Sequence, residues 1–279
     1  MTWLQHARAA LCATVIGLSL TLFSLPLVLL ACAKLGRPRA RILTTAMNGI
    51  YRRAVAFDDW CLERIARVRW ELPELQLDAE QTCLVLCNHR SWCDVLVVQS
   101  LIAKKGPVIT FLTKRELAFV PVFGIIVWAF RFPLLKRRAR GSQSEAARRE
   151  SDRQRILAAC ATVRQAPAAI LTFAEGTRFS PEKHRLAHSP YRHLLPPRPG
   201  GFSAIYDSLA NTGALVVDLT LDYDGEVTFW RFLAGAASVS ATATVWDWDE
   251  LAERDRSAWL RQRWQIKDRQ LAREAAEPA

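Results

Sequence analysis

A histidine and an aspartate stand five residues apart in LVLCNHRSWCDVLVV, residues 84–98, between two runs that otherwise read as buried core. Asn88, His89, Arg90 and Asp94 bring polar atoms into those runs, where burial without partners costs about 1–3 kcal/mol each. On one regular helix a five-residue separation turns two side chains about 140° apart, so this pair cannot meet there. They meet if His89 ends a strand and Asp94 lies in the first turn of the following helix. A histidine oriented by a carboxylate is a general base, a role worth typically ~10²–10⁴-fold in rate. The same residues also fit a helix start in which Ser91 and Asp94 form a capping box and His89 is a satisfied polar residue. Cys83, Cys87, His89 and Cys93 are zinc-ligand types, but their spacing matches no familiar zinc module.

Two further stretches carry candidate chemistry. In LTFAEGTRF, 171–179, a strand-like run ends in Glu175, Gly176, Thr177 and Arg178. Gly176 permits a tight turn, and Arg178 offers the planar fork that suits phosphate. The alternative is a turn held by a Glu–Arg ion pair. In FLTKRELAFVPVFG, 111–124, Lys114 and Glu116 precede an apolar segment. A cation there either meets a phosphate headgroup or snorkels to an interface. The loop 179–200 adds His184, His188 and His193, which have no helical period among its prolines and read as ordinary loop histidines.

These residues need strand ends and helix starts to hold them. Strands are expected at 83–87, 108–112, 168–173, 214–221, 227–233 and 238–246, and helices at 91–103, 142–165, 201–211 and 255–275. Alternating strands and helices predict an α/β fold, a mixed central sheet flanked by helices, with an N-terminal membrane helix. Four regions follow: a membrane anchor at 1–41, a helical connector at 42–78, the α/β domain at 79–250 and an amphipathic C-terminal helix at 251–279. Within 136–155, eight basic and three acidic residues suggest a solvated helix capped by Ser142 and Glu145, or a face that meets anionic lipid.

Residues 11–33 run 23 positions without a charge, enough to cross a hydrocarbon core of ~30 Å. That length exceeds the ~7–15 residues of a signal-peptide core, the rival reading. Arg8 precedes the stretch, while Lys34, Arg37, Arg39, Arg41, Arg52 and Arg53 follow it, which points to an inner-membrane protein with its catalytic domain on the cytoplasmic side. The apolar 117–135 is broken by Pro121, Gly124, Arg131 and Pro133 and is expected to dip into the interface or to form a core helix. The chain has 38 Lys and Arg against 27 Asp and Glu, a net charge of +11 that suits an anionic partner. With 51% hydrophobic residues it is not a disordered chain. Its seven cysteines form no disulfide pattern.

Taken together, NHRSWCD, KRELAFVPVFG and FAEGTR, in that order over about residues 80–225, resemble the blocks of the 1-acylglycerol-3-phosphate/glycerophospholipid acyltransferase family. LLPPRPGGF, ALVVDLTLDY and the tail WLRQRWQIKDRQL resemble its lysocardiolipin-acyltransferase-like branch. Ala174 stands where the third block usually has proline, and Asp218 lies where the fourth usually has it. The resemblance implies acyl transfer from a thioester, carried on coenzyme A or acyl carrier protein, to the hydroxyl of a lysophospholipid, with lysophosphatidate the leading acceptor. It implies no cofactor and no metal. His89 would be the base and Asp94 its orienting partner. Arg178 and Lys114 would hold phosphate, and Glu175, with Gly176 and Thr177, would position the turn or the acceptor glycerol. A covalent route through Ser91, Cys87 or Cys93 has no supporting motif. A non-catalytic binder of anionic lipid would explain the charge but not the His–Asp spacing, and nothing resembles a nucleic-acid module.

Overall fold

The computed structural model describes residues 1–37, 40–132, 134–135, 144–161 and 167–274. Two long helices open the chain, α1 (Trp3–Gly36) and α2 (Arg41–Trp60), and a π-helical turn at Cys61–Ala66 leads into β1 (Arg69–Glu71). Then come β2 (Cys83–Cys87), α3 (Asp94–Ala103), β3 (Ile109–Phe111), β4 (Thr113–Lys114), a 3₁₀ turn at Arg115–Phe119, α4 (Phe123–Ala129) and β5 (Leu134–Leu135). The second half holds α5 (Glu145–Cys160), β6 (Ala169–Phe173), α6 (Pro181–Leu186), α7 (Pro199–Ser208) and β7 (Leu215–Tyr223). It closes with α8 (Phe229–Leu233), β8 (Ser238–Asp247), α9 (Trp248–Ala252) and α10 (Arg256–Glu274).

The fold is mixed α/β. A six-stranded sheet runs in the order β1-β8-β7-β2-β6-β3, and β4 with β5 forms a separate parallel pair. Strands β2, β6, β7 and β3 are mutually parallel, whereas β8 runs antiparallel to β7. Central β2 is buried at all its positions, as a run of Cys, Leu and Val covered on both faces requires. Its alternate residues enter two cores. Cys83, Val85 and Cys87 join α3, α8 and the start of α1, while Leu84 and Leu86 join α7 and the tryptophans of α10.

One expected strand is absent. Residues 227–233 form no strand but the short helix α8, because the Thr228 hydroxyl accepts from Arg231 N at 3.1 Å and caps a helical turn that buries Phe232 and Leu233. The strand expected at 108–112 is β3 in the main sheet, and β4 follows it in the small one. The helix expected over 142–165 is described as α5; its cap is Ser144, which accepts from Ala147 N at 3.3 Å, and Ser142 lies outside the described residues.

α1 buries Ala9, Cys12, Ile16, Ser19, Ser24, Leu27 and Ala31, one stripe at helical spacing, against the rest of the protein. Arg8 donates to Ala234 O at 3.5 Å and Trp230 Nε1 to His6 Nδ1 at 3.0 Å, tying the start of α1 to α8. Ser19 donates to Asp58 at 3.4 Å, and Ser100 of α3 donates to Asp59 at 3.0 Å. Through these contacts α2 joins α1 to the helix that carries Asp94.

Candidate active site

The parallel register sets Cys87 opposite Phe173 on one side and Leu219 on the other, so the residues just past these positions emerge at the same edge of the sheet. This is the carboxyl end of the strands, where open α/β sheets place their sites. Asn88 extends β2 with its side chain. Its amide donates to Leu221 O at 2.9 Å and its oxygen accepts from Leu221 N at 2.8 Å. A buried polar group is thereby satisfied, and the chain is released from the sheet at His89.

The turn from His89 to Asp94 closes on one carboxylate oxygen. Asp94 Oδ2 accepts from Arg90 N at 2.7 Å, Ser91 N at 2.9 Å and His89 Nδ1 at 2.7 Å. Asp94 therefore both anchors the turn that begins α3 and binds the imidazole. Because a carboxylate only accepts here, the proton sits on Nδ1 and the lone pair on Nε2. The carboxylate is fully buried, while the imidazole keeps 14% exposure, so the ring is reachable and its partner is not. The His89 ring stacks on Phe173 at 3.8 Å between centroids and 11° between planes, which removes its rotational freedom.

Tyr223 supplies the other half of the Asp94 environment, donating its hydroxyl to Oδ1 at 2.7 Å. Its separation of 129 residues from Asp94 hid this contact in the sequence. Burial and the neighbouring Asp94 push the tyrosine hydroxyl well above its ordinary range, so it stays a donor.

Glu175 bridges three segments. One oxygen accepts from His89 N at 3.1 Å and the other from Leu195 N at 3.1 Å, holding the loop before α7 against the turn that begins at His89. Burial raises its carboxyl to about 7, opposed by those two amides and by Arg90. The alternative reading, a Glu175–Arg178 ion pair, is not what holds the turn, since both carboxylate oxygens are taken by backbone N–H groups. Gly176 occupies φ +70°, a conformation that favours glycine. Thr177 Oγ1 accepts from Lys183 at 2.8 Å, and the Arg178 guanidinium lies 5.0 Å from the centroid of the Trp92 ring. Lys114 is in β4, and its side chain lies outside the described residues.

The cysteines near the dyad are poor nucleophiles. Burial holds Cys87 well above the ordinary thiol range and raises Cys93 to about 11. Among the described residues, no group of three or more His, Cys, Asp and Glu side chains is placed to hold a metal ion. In the 179–200 loop, His184 pairs with Tyr191 O at 2.6 Å, whereas His193 lines a groove. That groove, about 1530 Å³, borders the site through Arg90, Phe179 and Tyr223 and extends to Trp70 and Val239. Asp218 faces the opposite layer, paired with Lys267 at 2.7 Å and Arg263 at 2.5 Å.

Known proteins resemble this chain in fold and in sequence. The crystal structure of the 1-acyl-sn-glycerophosphate (LPA) acyltransferase PlsC from Thermotoga maritima matches 99% of both chains with a TM-score of 0.61 at 12% identity, which is a likeness of fold. The 1-acyl-sn-glycerol-3-phosphate acyltransferase gamma of Mus musculus is 26% identical over 200 residues, covering 63% of this chain. The chain spans about half the length of that curated relative (50%). The family model described as Acyltransferase matches residues 67–221, more than half of the chain, which takes in His89, Asp94 and Glu175 and stops short of Tyr223, and the chain belongs to that family.

Proposed function

We propose that this acyltransferase moves a fatty acyl group from a thioester to the free hydroxyl of lysophosphatidate, at sn-2, with His89 and Asp94 as a general-base dyad. The observation that carries the reading is the 2.7 Å contact from His89 Nδ1 to a fully buried Asp94, which leaves Nε2 as the reachable base. Nε2 takes the proton of the acceptor hydroxyl as that oxygen bonds to the acyl carbon. Asp94 stabilises the imidazolium that results. Collapse of the tetrahedral intermediate breaks the carbon–sulfur bond, and the imidazolium returns its proton to the departing thiolate. No protein–acyl bond forms. Arg178 offers its guanidinium fork to the acceptor phosphate, with Lys114 as a second cation from β4. Coenzyme A or acyl carrier protein carries the donor, and no cofactor enters.

The groove is larger than glycerol phosphate requires. That favours, as a second reading, a lysophospholipid with an extended headgroup, of the lysophosphatidylglycerol or lysocardiolipin type. Both substrates are amphiphiles, which fits a protein held on anionic membrane, and the arginine asymmetry around α1 supports the cytoplasmic face of a bacterial inner membrane. The test is acyl transfer by the membrane-bound enzyme with a panel of lysophospholipids, each with acyl-coenzyme A and acyl carrier protein donors. Lysophosphatidate should have the highest kcat/KM. A higher value for a phosphodiester acceptor would replace it with the second reading.

A further inference from the structure

Gly176 does more than turn the chain. A Cβ at this position would stand 3.1 Å from both Cδ and Nε of Arg198 and 3.3 Å from its Cζ. A side chain there would crowd that guanidinium, and the bare glycine leaves it room against the turn. Arg198 is also fixed from below, since its backbone N–H donates to Ala174 O at 2.7 Å, two residues before the glycine. Its side chain is nevertheless exposed and makes no hydrogen bond or ion pair among the described residues.

Two nearby cations are already engaged. Lys183 donates to Thr177 Oγ1 at 2.8 Å and to Arg178 O at 3.0 Å, and Arg90 donates to His193 O at 3.1 Å while lying over Phe179. Arg178 and Arg198 alone among these four have side chains free of hydrogen bonds to described residues; Arg178 is on the turn that follows β6, and Arg198, just before α7, packs against Gly176 of that turn. A phosphate monoester carries about −1.5 to −2 at neutral pH, more than one exposed guanidinium offsets. Two planar forks match that charge and its three terminal oxygens.

We propose that Arg198 is a second phosphate-binding residue of the acceptor site, held over Gly176 to grip the headgroup phosphate together with Arg178. The assignment rests on the acceptor reading given above. It is tested with the full-length enzyme in lipid vesicles, measuring kcat and KM for lysophosphatidate, for monoacylglycerol, which lacks the phosphate, and for acyl-coenzyme A. Arg198→Ala should raise the lysophosphatidate KM by about tenfold or more, the loss expected of a charge-assisted contact. Its preference for lysophosphatidate over monoacylglycerol should fall by a similar factor. Arg198→Lys should recover part of the loss, because charge returns without the fork. An unchanged lysophosphatidate KM, a rise confined to the donor, or equal losses on both acceptors would overturn the proposal. If the wild type instead prefers a phosphodiester acceptor, the lysophosphatidate reading fails separately, and the same comparison on that acceptor decides Arg198.

Discussion

Asp94 carries four acceptor contacts through two oxygens, and every one of its partners is a donor. An amide in its place must aim an NH₂ at a donor. Asp94→Asn should therefore lower kcat strongly, through the wrong imidazole tautomer and the lost stabilisation of imidazolium. His89→Ala should lower it by at least ~10²–10⁴-fold. Cys87→Ala and Cys93→Ala should keep most of the turnover, and intact-mass analysis of enzyme incubated with acyl donor alone should find no stoichiometric adduct. Glu175 gives a pH signature. Its carboxyl is raised to about 7 from 4.5, so the folded protein holds a proton that the unfolded chain has lost between those values. The stability that Glu175 contributes is full below pH 4.5 and declines as pH rises to about 7. The difference in denaturation midpoint between wild type and Glu175→Gln should shrink over that interval; a constant difference would show that Glu175 does not titrate there. The His89–Asp94 pair was legible because both members lie in one short turn. Tyr223, Phe173 and the Leu195 amide were not, because only the parallel register of β2, β6 and β7 brings them to the same edge.

α10 is joined to the sheet by charge as well as by tryptophan. Lys267 is fully buried; its ammonium pairs with Asp218 and also donates to Leu219 O and Thr220 Oγ1. Breaking a buried pair from one side leaves a charge without compensation, at a cost of about 3–5 kcal/mol. Asp218→Ala should lose about that much in chemical denaturation, because it strands Lys267. Asp218→Leu combined with Lys267→Met should recover most of it, since a similar volume is refilled without charge. Equal losses in the single and double variants would mean that packing, not charge, holds the helix. Asp218 thus serves the layer opposite the dyad, and its departure from the family's usual proline bears on the docking of α10. The charged, tryptophan-bearing periodicity of this helix could be read directly. The aromatic run of α8 misled, because its strand-like composition is overridden by the Thr228 cap and by burial of Phe232 and Leu233.

At the scale of the whole molecule, α1 presents two different faces. By length and composition it is long and apolar enough to cross a membrane. Yet its buried stripe follows the protein from Ala9 to Ala31, about 33 Å of helix at 1.5 Å per residue. The remaining circumference presents Leu11, Leu18, Leu22, Leu25 and Leu29 outward, each more than half exposed, and Phe119 beside α4 is 77% exposed. The charge-free run announced the outward, apolar side. It could not announce the protein-facing one, because Ala, Cys and Ser are too small and too mild to stand out among leucines. The two faces should separate experimentally. Replacing Leu18, Leu22 and Leu25 together by Ser removes apolar area that contributes about 25 cal/mol per Å² when taken from water, so the protein should shift from the membrane pellet toward the supernatant. Its melting temperature in detergent should change little, since none of the three side chains is buried in the fold. Ile16→Asp should do the reverse, lowering the melting temperature by placing a charge in the core shared with the π-helical turn and α8, while the outward leucines still hold the membrane. If the leucine variant melts earlier and stays in the pellet, the outward face of α1 is a protein contact, and the membrane must be held elsewhere.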